Sequence, residues 1–169
     1  MQMKVQKRKD LVVNNRFRKK FPFQFCNYEW LNVLDISKGK LKSIPKEISK
    51  LVNLNTLKIS NHKISKITPF FSQMTNLKNL DLSSNQIRKF PIPFFGLASL
   101  EKLDVSKNFL ENLFLAQMTC LTELNISNNK LEEAPSGNIF YFNFTFISFF
   151  NFFYFIFYFS IQVFNTSQN

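Results

Sequence analysis

At 169 residues, with 22 Lys and Arg against 11 Asp and Glu for a formal net charge of +11, the chain has the length of one domain and a basic balance. Three Gly, one His and two Cys leave no material for a Gly-rich phosphate loop or a zinc cluster, so neither cofactor nor metal is expected. Phenylalanine supplies 23 residues, 12 of them between Ile139 and Phe164, which divides the chain before any finer pattern does.

Residues 1–10 read as a basic lead-in. Eight Lys/Arg stand against Asp10 and Glu29 in residues 1–30, and six against Asp35 and Glu47 in residues 31–60. The clusters Lys4, Lys7, Arg8, Lys9 and Arg16, Arg18, Lys19, Lys20 are broken by apolar residues and match no nucleic-acid motif. They read as a solvated face, and nucleic acid is not an expected partner. No apolar stretch follows them, so the amino terminus does not read as a secretory signal. Residues 11–30 are expected to form a degenerate capping coil built on Leu11, Asn14 or Asn15, Phe21-Pro22, Phe25 and Trp30. Cys26 and Cys120 lie 94 positions apart without framework spacing, which suits reduced packing thiols in a cytosolic setting.

From Leu31 the sequence repeats. LNVLDISKGKL, LNTLKISNHKI, LKNLDLSSNQI, LEKLDVSKNFL and LTELNISNNKL begin at residues 31, 54, 77, 100 and 121. Each has aliphatic residues at positions 1, 4, 6 and 11 and Ser at 7, and three have Asn at 9. Positions 4 and 6 of a short strand share a face, which a single coil cannot bury but stacked coils can. The strands are therefore expected to form a parallel ladder with a spacing of about 4.8 Å. Asn85, Asn108 and Asn129 fall where the chain leaves the strand, and a buried amide there can both donate to and accept from neighbouring backbone. His62 takes that position in the second coil. One ring nitrogen can donate and the other accept, and it has no companions for catalysis or metal binding. Gly39 leaves the first coil without such a side chain. Ile44-Pro45, Phe90-Pro91 and Ala134-Pro135, with Thr68-Pro69 as a near match, turn each coil back along the outside, where proline ends the strand. Ile48, Phe71 and Phe94, then Leu51, Met74 and Leu97, return side chains to the interior. The fourth coil is two residues short and has Leu113-Phe114 in place of the proline pair, so a tighter outer segment is expected there.

The pattern L-x-x-L-x-L-x-x-N-x-L resembles the leucine-rich repeat superfamily. The 23-residue coil with its outer proline is similar to the intracellular class found in Ras-pathway scaffolds and related signalling proteins. The resemblance implies an α/β solenoid over residues 31–138. Its curved stack would carry a short parallel sheet on the concave face, with irregular, 3-10 or helical segments on the convex side.

After Glu133 no charged residue follows. Residues 139–164 are an apolar run that a helix would extend to about 39 Å, enough to cross a hydrocarbon core. A tail anchor with the repeats facing the cytosol is one reading. Against it, the run lacks Leu, is interrupted by Asn143, Asn151 and Gln162, and alternates like a strand at Phe140, Phe142, Phe144 and Phe146. Its residues are also those of T- and A-rich codons, so translation through an intron or past an exon end is another reading, and a soluble cap a third. Residues 165–169 are a polar end.

Catalysis is not expected. The Asp side chains recur in open, equivalent environments, and no positioned base accompanies any nucleophile. A concave sheet instead presents side chains from many coils to another protein. The binding candidates are Asp35, Lys58, Asp81, Ser83, Lys102, Asp104, Lys107, Glu123 and Asn125, with Phe109 and Lys130 on the rim. The expected function is that of a monomeric, cytosolic scaffold or adaptor in signalling. The alternatives are a tail-anchored display of the repeats or a fragment of a longer signalling protein with a phosphatase, kinase or cyclase domain.

Overall fold

Three residues per coil suffice for a strand, because each needs only one inward side chain between two outward ones. The computed structural model describes residues 9–12, 21, 23–115 and 118–132. Within them the strands are β1 (Asp10–Val12), β2 (Val33–Asp35), β3 (Thr56–Lys58), β4 (Asn79–Asp81), β5 (Lys102–Asp104) and β6 (Glu123–Asn125). They form one sheet in chain order, every pair parallel. The register keeps equivalent positions side by side, with Leu11, Leu34, Leu57, Leu80, Leu103 and Leu124 forming one continuous row. Each of the last five is buried, and full burial of a Leu is worth about 1.5–3 kcal/mol.

The ladder continues past the strands. Lys38 N–H donates to Ser60 O, Asn61 N–H to Ser83 O, Ser84 N–H to Ser106 O and Lys107 N–H to Ser127 O. At this step the coils of β2 to β6 pass through the left-handed region, at Lys38, Asn61, Ser84, Lys107 and Asn128, with φ between 54° and 66°. That turn points the next side chain inward, where Asn85 and Asn108 lie buried.

On the outer side, 3-10 turns occupy Phe23–Asn27, Lys46–Lys50, Pro69–Gln73 and Ile92–Gly96. Proline stands at or just before the start of three of them, where its missing N–H leaves no bond unmade. Thr68 reinforces one start by accepting from Phe70 N–H at 3.4 Å. Ile48, Phe71 and Phe94 plug the interior beneath these turns. The rings of Phe71 and Phe94 sit 5.8 Å apart between coils. Neighbouring coils are thus packed together on the outer side, as they are through the sheet on the concave face. In the coil of β5, buried Leu113 and Leu115 flank exposed Phe114.

The coil of β1 differs in detail from its expected form. Tyr28, not Trp30, occupies the register of Leu51, since Leu31 N–H donates to Tyr28 O as Leu54 N–H donates to Leu51 O. Trp30 is exposed and stacks on Tyr28 at 5.3 Å. Residues 139–164 lie outside the described residues. Among the described residues, no helix is long and apolar enough to cross a membrane.

Candidate protein-interaction surface

Alternation along each strand sends positions 3 and 5 out of the concave face. Stacking then generates two rows. One runs Asp35, Lys58, Asp81, Asp104, Asn125, and the other Val33, Thr56, Asn79, Lys102, Glu123. Across β3–β6 these side chains line a trough of about 500 Å³ that includes Lys58, Asp81, Lys102, Asp104, Glu123 and Asn125. Six of the nine binding candidates are thus brought together. Asp35 lies on β2 beyond the trough's end, and Ser83 and Lys107 lie past the strand ends, so none of these three lines it.

The aspartates are not the free carboxylates that the sequence suggests. Asp35, Asp81 and Asp104 are half-buried, and each accepts through Oδ1 from the backbone N–H two residues on, at Ser37 (3.0 Å), Ser83 (2.9 Å) and Ser106 (2.9 Å). The Ser83 hydroxyl donates to the same Asp81 oxygen at 2.7 Å, so Ser83 is engaged inside the fold. Asn125 repeats the arrangement with an amide oxygen toward Ser127, and its Nδ2 donates to Asp104 Oδ2 at 3.1 Å. Reversing the charge at Asp81 or Asp104 therefore removes a turn acceptor as well as a surface charge. No pattern of apolar spacing carries that information.

Charge is distributed unevenly along the trough. Lys102 is paired with Glu123. Asp81 and Asp104 stand directly opposite each other on adjacent strands and make no ion pair among the described residues. Like charges in that relation destabilise a sheet. Two lysines and three carboxylates line the trough, which makes it locally acidic on a chain of net charge +11. On the rim, Lys130 Nζ lies 5.4 Å from the centre of the Phe109 ring. Outside the trough, Lys78 is paired with Glu101 at 2.7 Å, and that hydrogen bond holds its ammonium above the usual lysine range.

Beneath the surface, the amides form a chain of coil-to-coil bonds. Asn85 donates to Ile59 O (2.9 Å) and Leu82 O (3.0 Å) and accepts from Ile64 N–H (3.1 Å). Asn108 and Asn129 repeat the set one and two coils on. His62 accepts from Leu41 N–H at Nδ1 (3.1 Å) and faces Ile36 O with Nε2 (2.8 Å). Burial is the larger influence on its ring and lowers its pKa, while the bond to Ile36 O opposes the shift. Both ring nitrogens are occupied by backbone. Burial, with Glu47 adding to it, pushes the Cys26 thiol up, which keeps it in its unreactive protonated form. Among the described residues, no group of three His, Cys, Asp or Glu side chains could hold a metal ion.

The parallel ladder, the inward amides and the outer 3-10 turns together define a leucine-rich repeat solenoid. The leucine rich repeat models match residues 29–87, 57–110 and 120–142, and the chain belongs to that family. No curated protein matches the sequence. Among solved structures, a leucine-rich repeat protein of Leptospira interrogans is similar at a TM-score of 0.67 and 22% identity over 81% of this chain. An internalin of Listeria monocytogenes is similar at 0.68 and 24% over 84%. A plant ice-binding protein is similar at 0.61 and 27% over 72%. The chain spans 41% of the length of each.

Proposed function

We propose that this chain is a non-catalytic leucine-rich repeat adaptor whose concave trough captures a protein segment presenting Lys or Arg. The observation that carries this reading is the Asp81–Asp104 pair. Two half-buried carboxylates face each other across β4 and β5, neither in an ion pair among the described residues, and a partner's cation between them relieves the repulsion they otherwise exert. Glu123 and Lys102 at the trough's end add direction, since a bound segment meets an ion pair there and, further in, two facing carboxylates with Lys58 beside Asp81 on one flank only.

A cytosolic, signalling setting is part of the proposal. The chain has two cysteines, Cys26 buried and Cys120 exposed, both free. They lie four coils apart, about 19 Å along the ladder, too far to bridge and suited to a reducing compartment. The 23-residue period with its outer prolines supports the signalling assignment through its resemblance to intracellular scaffolds.

The test is an array of Lys- and Arg-containing peptides read against wild type and the Asp81→Asn/Asp104→Asn double variant. Asn keeps the oxygen that accepts from Ser83 and Ser106 while removing the charge. The expected result is binding to a subset of peptides, weakened tenfold or so in the double variant at a melting temperature no lower than that of wild type. Equal binding by both proteins rejects the trough as the site.

A further inference from the structure

The outer edge of the coils of β2, β3 and β4 carries a second charged surface of opposite sign. Just after the inward position 9, the chain runs alongside its neighbours. Lys63 N–H donates to Leu41 O, Ser65 N–H to Lys42 O and Gln86 N–H to Ile64 O, and Ser43 bridges Lys66. Side chains at positions 10, 12 and 13 of these coils therefore stack at one-coil spacing. They include Lys40, Lys42, Lys63, Lys66, Arg88 and Lys89, all exposed. No acidic residue shares those positions in the three coils, Glu111 being the first, one coil further on. The two ion pairs among the described residues involve none of the six.

Immediately beyond the cations, each coil passes a buried residue and a Pro or Thr and reaches the tip of its outer turn. There Phe70 is 40% exposed and Ile92 is 83% exposed. Each apolar tip thus follows Lys66 or Arg88-Lys89 by only a few residues, on the convex side of the curve.

We propose that this convex edge docks on an anionic lipid surface, with the six cations among the headgroups and Ile92 and Phe70 at the acyl boundary. A flat bilayer can meet a convex edge but cannot enter the concave trough. It also offers, at successive depths, both the negative charge and the apolar medium that this edge requires. A nucleic-acid backbone offers nothing to an exposed isoleucine. Five of the six cations are lysines, point charges suited to mobile headgroups, where phosphate recognition at fixed geometry favours the arginine fork. This surface is separate from the Asp81–Asp104 site.

The test uses the full chain, residues 1–169 retained in every variant, and cosedimentation with vesicles of phosphatidylcholine alone or with about 30% phosphatidylserine. The expected result is binding that requires phosphatidylserine and weakens with salt. Lys42→Gln/Lys66→Gln/Arg88→Gln/Lys89→Gln reduces the partition coefficient by at least about tenfold. Ile92→Ser reduces it severalfold and leaves the salt dependence unchanged. Asp81→Asn/Asp104→Asn has no effect on vesicle binding, so failure here is distinguishable from failure of the trough. The five positions substituted on the convex edge are exposed, and an unchanged melting temperature of those variants confirms the fold. Undiminished binding by the quadruple variant, or equal binding to phosphatidylcholine alone, overturns the proposal. So does tighter binding of wild type to duplex nucleic acid or polyglutamate than to the anionic vesicles.

Discussion

The imidazole of His62 stands where the next coil carries the amide of Asn85. Its Nδ1 accepts from Leu41 N–H at 3.1 Å as Asn85 Oδ1 accepts from Ile64 N–H at 3.1 Å, and its Nε2 meets Ile36 O as Asn85 Nδ2 meets Ile59 O. The equivalence holds for one tautomer of the neutral ring, because a proton on Nδ1 would point at the Leu41 N–H.

A pH dependence follows. Burial holds the folded pKa of His62 below its ordinary value, so as pH falls through about 6.5 the unfolded chain takes a proton that the folded chain refuses. Stability is therefore full above that pH and declines below it, by up to about 1.4 kcal/mol per pH unit until the folded ring also titrates. This is the chain's one histidine. Urea midpoints at pH 7.5 and 5.5 should differ in wild type, and the difference should shrink in His62→Asn, which keeps the bonds without the titration. Equal slopes in the two proteins would refute the assignment.

Asn108 is buried and bonded on both sides of its amide, to Leu82 O, Val105 O and Ser106 O and from Ile87 N–H. Asn108→Ala leaves at least one buried donor and two acceptors bare, and should lower stability by about 2–4 kcal/mol. Asn129 makes the same bonds in a half-buried site that water can reach, so Asn129→Ala should be milder. Chemical denaturation of the two variants checks the order, and the reverse order contradicts it.

Phe94 stacks on Phe90 at 4.2 Å and meets Phe71 in the preceding coil at 5.8 Å. Fully buried, it joins coils on the outer side as the leucine row does on the inner. Phe94→Ala should cost about 3–5 kcal/mol, and Phe94→Leu appreciably less. A loss under about 1 kcal/mol for the alanine variant would mean that the outer side does not hold the stack.

What was legible in the sequence was whatever repeats at one position. Leu34, Leu57, Leu80, Leu103 and Leu124 announce the sheet, and Asn85, Asn108 and Asn129 announce the amide chain, because each recurs at fixed spacing. The exchange of Tyr28 for Trp30 escaped notice because either aromatic satisfies an apolar pattern, and only the Leu31 N–H to Tyr28 O bond distinguishes them. The turn bonds of Asp35, Asp81 and Asp104 escaped because a strand-facing carboxylate reads as solvated until its neighbour two residues on is located. The cationic edge escaped because its residues occupy different positions in successive coils. Lys40 and Lys63 share one place, Lys42 and Arg88 another, Lys66 and Lys89 a third, and they become one surface only when the coils stack.

The left-handed step after each strand is taken by five residues with side chains, and outside Asn and Gly that conformation costs an L-residue about 1–2 kcal/mol. Ser84→Gly and Lys107→Gly should each raise stability, by up to about 1 kcal/mol once the greater freedom of unfolded glycine is deducted. Asn61→Gly should change little, since asparagine tolerates the region. Ser84→Val, branched at Cβ, should be clearly destabilising. Thermal midpoints across the four variants check the order, and a destabilising Lys107→Gly would count against it.

Asp104 separates the structural role of the trough's carboxylates from their charge. Its Oδ1 holds Ser106 N–H at 2.9 Å, while its negative charge faces Asp81 across the strand pair. Asp104→Asn keeps the acceptor for Ser106 N–H and relieves the repulsion, while giving up the half-buried bond from Asn125 Nδ2 to Oδ2, so stability should rise slightly at most, by under about 1 kcal/mol. Asp104→Lys loses the acceptor, and the turn N–H goes unsatisfied, at about 1 kcal/mol or more. Low salt should enlarge the gain in the asparagine variant and high salt should erase it, because only the repulsive part is screened. Denaturation at two ionic strengths makes the comparison. A gain that survives high salt would trace to something other than the facing carboxylates, and the reason given for the trough's affinity for cations would be lost with it.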